Sequence, residues 1–125
     1  MTEWFILLPL MILFHVIEDF HIQGNMAQMK QRRWWKFYDD EYRNDWVPVI
    51  ILHGIEWAMF VSIPCLMASW FDVSVWFMAV VVSMGLIHAY IDHLKANTFK
   101  INLIQDQTMH MVQIGMILLA YMVIA

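Results

Sequence analysis

Charge is scarce in this chain. Asp, Glu, Lys and Arg make up 14% of its 125 residues, while 62% are hydrophobic. Soluble domains carry about 25% charged residues, so a membrane protein is the first reading and a water-soluble globule is set aside. Cysteine is nearly absent: Cys65 alone, in the middle of an apolar run, excludes a disulfide framework. Basic residues are missing before Lys30. No small-residue cleavage site follows the first apolar run either, so that run is expected to be a membrane helix and not a signal peptide.

What is present is length in the apolar direction. Four blocks, 4–23, 47–70, 73–94 and 103–125, each approach the roughly 20 residues that a helix needs to cross a bilayer core of about 30 Å. The expectation is one all-α domain, 1–125, an integral membrane four-helix bundle. Gly24-Asn25 suits the end of the first helix, and Asp45 with Pro48 suits the start of the second. Asn102 with Gln105 resembles a capping box opening the fourth. Only the turn around 69–72 separates the second and third helices, which must therefore be antiparallel neighbours. Pro64 should kink the second helix, a defect that packed neighbours tolerate in a membrane.

The basic residues fall in two connections only. Lys30, Arg32, Arg33, Lys36 and Arg43 lie in 24–46, and Lys95 and Lys100 lie between the third and fourth helices. The positive-inside rule then puts both connections on the cytoplasmic face of the inner membrane and both termini outside.

Stacked in this way, polar residues far apart in sequence form one layer in the cytoplasmic half of the bilayer. His15 and Asp19 end the first helix, His53 and Glu56 begin the second, His88 and Asp92 end the third, and Asp106 and His110 begin the fourth. His15/Asp19, His88/Asp92 and Asp106/His110 are i, i+4 pairs, so each helix aims two side chains from one face. Gln23 and Lys95 extend two of these stripes. The shared His-x-x-x-Asp of FHVIED and IHAYID, with His53-x-x-Glu56 answering His110-x-x-Gln113, suggests two repeated helical hairpins.

One such pair in a membrane helix usually neutralises its own burial cost. Three pairs plus His53 in one layer favour a metal centre, because imidazole and carboxylate are the ligand set of Zn, Mn or Fe. The candidate ligands are His15, Asp19, His53, His88, Asp92, Asp106 and His110, enough for one or two divalent transition metal ions. Glu18, adjacent to Asp19 and so turned about 100° away from it, reads as a helix-end charge, and His21 and His93 read as non-ligating. Lys95, one turn beyond Asp92, can snorkel to headgroups or bind an anion.

The connection 24–46 mixes basic residues with Trp34, Trp35, Phe37, Tyr38, Tyr42 and Trp46. Such a segment lies along the membrane interface, as a short amphipathic helix bordering the polar layer like a lid. Nucleic acid is not an expected partner, because Asp39, Asp40, Glu41 and Asp45 nearly cancel the positive charge.

The ordered set His15-x-x-x-Asp19-Phe20-x-x-Gln23, His53, His88-x-x-x-Asp92-x-x-Lys95 and Asp106-Gln107-x-x-His110 resembles the pattern of an uncharacterised family of small bacterial and phage membrane proteins, the DUF3307 family. That family is similar in layout to the membrane-bound metal-dependent hydrolases. The resemblance implies a metal and a hydrolytic reaction, and supplies no substrate.

Together these observations point to a membrane-embedded hydrolase using a metal. In it, Asp19, Asp92 or Asp106 orients the attacking water or accepts its proton, and Lys95 holds an anionic group. A phosphate-bearing lipid suits the location and charge better than a soluble phosphoester. Two rival classes are a non-enzymatic membrane interaction protein with a structural metal, and a cation or proton carrier. The pattern leaves a homo-oligomer open.

Overall fold

In lipid every backbone N–H and C=O must be paired within the protein, and long apolar runs meet that demand as helices. The computed structural model describes residues 3–125 and contains no strand among them. α1 (Trp4–Ile17) runs on into a π-helical turn over Glu18–Ile22. Two short helices follow, α2 (Met26–Met29) and α3 (Arg32–Trp35), then the long helices α4 (Trp46–Ala68), α5 (Val75–Ala96) and α6 (Leu103–Ile124). Among the described residues four helices are long and apolar enough to cross a membrane. At about 1.5 Å per residue the three longest reach roughly 33–35 Å. The expected all-α four-helix bundle is observed: α1 packs on α4, α4 on α5, α5 on α6 and α6 on α1.

The helix ends have local causes. Asn102 accepts a hydrogen bond from the Gln105 backbone N–H at 2.9 Å, and Gln105 Oε1 accepts one from the Asn102 N–H at 3.0 Å, completing the expected capping box. Asp45 precedes the first residue of α4 but makes no side-chain cap. α5 begins two residues later than the 73–94 block, and Ser74 caps it by accepting from the Phe77 N–H at 3.1 Å. α4 runs through Pro64 without a break. The α4–α5 turn closes through the Phe71 N–H to the Leu66 carbonyl at 2.7 Å, with Trp70 and Phe71 at positive φ (55° and 64°). Left-handed backbone costs a non-glycine residue about 1–2 kcal/mol.

α4 and α5 touch closely at two glycines, Gly54 and Gly85. A Cβ added to Gly54 would collide with the Gly85 carbonyl oxygen and fall 2.9 Å from the Ala89 Cβ. One added to Gly85 would fall 2.8 Å from the Ile55 Cα. Small residues at a crossing let membrane helices pack by direct backbone contact. This contact lies beside His53 and one turn before His88, so it sets the distance between two of the polar residues.

The bundle has an apolar half and a polar half. Trp57, Val61, Cys65, Phe77, Val81, Ile114 and Ile117 are fully buried in the first, and His15, His53, His88, His110, Asp106 and Glu18 are buried in the second. Exposed aromatics gather at both ends, Trp70, Phe71 and Trp76 at one and Phe37, Tyr38, Tyr42 and Phe99 at the other. This is the distribution of rings at the two interfaces of a bilayer.

Candidate metal centre

α1 delivers its carboxylates through a change of helical pitch. In the π-helical turn the Gln23 N–H bonds to the Glu18 carbonyl, five residues back. Adjacent residues on an α-helix point about 100° apart, which is why Glu18 was expected outside the site. The π turn breaks that rule: Glu18 is 1% exposed and its Oε1 stands 3.3 Å from His53 Nδ1, while the Asp19 side chain is 9% exposed beside His53 and His110. Single π turns of this kind recur at functional sites. A constant 100° step cannot reveal one from sequence.

The Nε2 atoms of His53, His88 and His110 converge on the Asp92 carboxylate. His53 Nε2 is 3.3 Å and His88 Nε2 3.7 Å from Asp92 Oδ2, and His110 Nε2 is 3.6 Å from Oδ1. Asp19 Oδ1 lies 3.7 Å from His53 Nε2, and Asp106 Oδ1 lies 3.3 Å from His110 Nε2. These are not hydrogen bonds. Both nitrogens of His53 and His88, His110 Nε2, Asp19 Oδ1, Asp106 Oδ1 and both oxygens of Glu18 are buried without a hydrogen-bond partner. Ligands bound at about 2.0–2.2 Å around a tetrahedral ion stand roughly 3.3–3.6 Å from one another. The observed separations match that spacing, and the orphaned donors and acceptors are those an ion would satisfy. Among the described residues three sets of ligand atoms each lie within 4.8 Å of one another: Asp19, His53 and His88; His88, Asp92 and His110; and Glu18, His53 and Glu56. These buried groups could hold a metal ion.

Surrounding hydrogen bonds orient the rings. Gln113 donates through its amide nitrogen to the Met84 carbonyl at 2.9 Å, which turns its Oε1 toward His110 Nδ1 at 3.4 Å. His110 therefore carries a proton on Nδ1, and in the neutral ring this leaves the Nε2 lone pair toward the carboxylates at 3.3 and 3.6 Å, the arrangement usual for a metal-bound histidine. The His88 ring is sandwiched between Trp57 at 4.0 Å and His110 at 4.2 Å.

His15 sits one step farther out. The indole of Trp57 can only donate, so its Nε1–H makes His15 Nδ1 an acceptor at 2.8 Å and leaves the proton on Nε2. That Nε2–H donates to Gln107 Oε1 at 3.0 Å, and the Gln107 amide donates to Asp106 Oδ2 at 3.0 Å. Both nitrogens of His15 are engaged, and it belongs to none of the three converging sets. Trp57 drew no notice in the sequence and Gln107 only as part of the Asp106-Gln107-x-x-His110 pattern, because nothing along the chain connects them to His15, 42 and 92 residues away.

Lysines close the open end. Lys30, carried over the layer by the segment after α2, donates to Asp92 Oδ2 at 2.6 Å with its side chain 12% exposed. The Asn97 side chain ties that segment to the end of α5, donating to the Lys30 carbonyl at 3.1 Å and accepting from the Arg32 N–H at 2.7 Å. Lys95 pairs with Asp106 Oδ2 at 3.1 Å and is 39% exposed. Lys30, Arg33 and Lys95, with Asp92, Phe99 and Ile101, line a cavity of about 470 Å³ at this mouth. His21 is exposed, and His93 stacks on Trp46 at 5.1 Å, away from the converging sets.

No protein-family model matches the chain, and neither a curated protein nor a solved structure matches it.

Proposed function

We propose that this chain is an integral membrane hydrolase using a divalent transition metal, with a phosphate-bearing lipid as substrate. The observation that carries the reading is the convergence of three histidine Nε2 atoms and the Asp19 and Asp92 carboxylates beneath a cavity lined by three cations. Zinc suits the mixed nitrogen and oxygen donors best, and manganese or iron also fits. A divalent ion held there supplies a Lewis acid and makes a neighbouring water more acidic.

The chain's own residues do the rest. His53, His88, His110 and Asp92 hold the ion, with Gln113 directing the His110 lone pair. Asp19, whose Oδ1 has no other partner, orients the attacking water and accepts its proton. Lys30, Arg33 and Lys95 hold the phosphate in the cavity, where Phe99 and Ile101 offer an apolar wall to an acyl chain. The basic residues cluster at this end of the bundle, which supports a cytoplasmic mouth and outside termini in an inner membrane. Among the described residues the apolar half beyond Trp57 offers little polar lining, Ser62 being its buried polar side chain, which counts against a carrier. A resemblance to the uncharacterised bacterial and phage family fits the same reading.

The test is turnover. The protein in lipid nanodiscs, loaded with zinc or manganese, should release product from phosphate-bearing lipids in a mass-spectrometric screen. Chelation, Asp19→Asn and His88→Ala should each abolish release. Arg33→Ala should lower it with metal content unchanged. A screen of lipid extract and soluble phosphoesters with no chelator-sensitive product would leave a structural metal as the surviving account. Cysteine labelling of 28–46 from outside intact cells would reverse the orientation.

A further inference from the structure

The metal centre as described leaves three carboxylates without a countercharge. Lys30 neutralises Asp92 and Lys95 neutralises Asp106. Asp19 faces the converging histidines. Among the described residues Glu18 and Glu56 have no lysine or arginine partner, and the one ionisable group at ion-pair distance from Glu18 is His53. Glu18 is 1% exposed, with both carboxylate oxygens unpartnered. Its neighbour His53 is fully buried, and its Nδ1, on the ring edge opposite the Nε2 that faces Asp19 and Asp92, is also unpartnered. Glu56 follows one turn after His53 on α4 and is exposed on the outer face of the bundle. Ligand atoms of all three lie within 4.8 Å of one another.

Glu18, buried without a cation, carries the cost of desolvation, which is several kcal/mol per charge, and it is also repelled by the exposed Glu56 carboxylate close to it. The arrangement persists at low cost if a cation lies between them.

We propose that Glu18, His53 Nδ1 and Glu56 form a second divalent cation site, separate from the inner set and opening sideways through Glu56. Two carboxylates and one imidazole suit Zn²⁺ or Mn²⁺. His53 then bridges the two ions through its two ring nitrogens, as an imidazolate whose proton passes to solvent when the second ion binds. The exposed Glu56 leaves the outer ion open to a ligand arriving from the side. This inference rests on the inner centre proposed above, and it makes that centre a two-metal one.

The test is metal content in the full chain. Purified in detergent, saturated with Zn²⁺ and dialysed, the protein should retain two zinc ions per chain by mass spectrometry of the elements. Glu56→Gln, an isosteric change at an exposed position, should retain one and keep the wild-type elution profile and helical circular dichroism. Glu18→Gln should also retain one. Zinc content in Glu56→Gln equal to wild type would overturn the second site and leave the inner centre standing. Wild type that retains no zinc would overturn both.

Discussion

Substituting Gly54 by alanine tests whether backbone contact between α4 and α5 sets the spacing of the metal centre. The new Cβ would collide with the Gly85 carbonyl oxygen and lie 2.9 Å from both the Ala89 Cβ and its backbone nitrogen. Carbon atoms rest at about 3.5–4.0 Å, so the helices must part by about 1 Å or twist. Overpacking of this kind costs about 1–3 kcal/mol. His53 is the preceding residue, and its Nε2 stands 3.3 Å from Asp92 Oδ2 across the same crossing. Widening that gap by about 1 Å takes the pair beyond what two bonds of about 2.0–2.2 Å can span comfortably. Zinc affinity should therefore fall about 10–100-fold, the usual loss when the support of a metal ligand is disturbed. Thermal unfolding in detergent and zinc competition against a chromophoric chelator measure the two effects. Gly115→Ala in α6 is the matched control, because a Cβ there meets nothing within 4 Å. It should be neutral, or stabilising by up to about 1 kcal/mol through helix propensity. If Gly54→Ala and Gly115→Ala behave alike in both assays, close packing does not set the geometry of the centre.

Two further substitutions probe the polar shell. Lys30→Gln removes the ammonium 2.6 Å from Asp92 Oδ2; without metal this should destabilise the bundle by about 3–5 kcal/mol, as when one partner of a buried pair is lost. Zinc should restore most of the lost stability and bind more tightly than in wild type, so an unfolding temperature that is unchanged in chelator would refute the role given to Lys30. Trp57→Phe keeps a ring against His88 but deletes the donor to His15 Nδ1. Leaving that acceptor unpaired should cost about 1–3 kcal/mol in chemical or thermal unfolding with zinc content retained, and wild-type stability would sink the proposed network.

The helices and the polar layer were legible in the amino-acid order because both follow from rules that act along the chain. Runs of about 20 apolar residues have no stable alternative to a helix in lipid, and the Asn102/Gln105 box and Gly24 mark ends through local hydrogen bonding and backbone freedom. Antiparallel stacking of four such helices brings His53, His88, Asp92, Asp106 and His110 to one level whatever the details of packing. The tertiary structure decided everything that depends on atoms from different helices. Glu18 turns inward because a π turn replaces the constant 100° step on which the i, i+4 reading of Asp19 relied. His15 is drawn out of the converging set because Trp57 and Gln107 claim both of its nitrogens, while Gln113 leaves His110 Nε2 free. Lys30 reaches Asp92 because Asn97 anchors the segment that carries it. Spacing along one helix specifies a direction; the tautomer, the partner and the distance are specified by neighbours from other helices, and these meet only when Gly54 and Gly85 let the backbones touch.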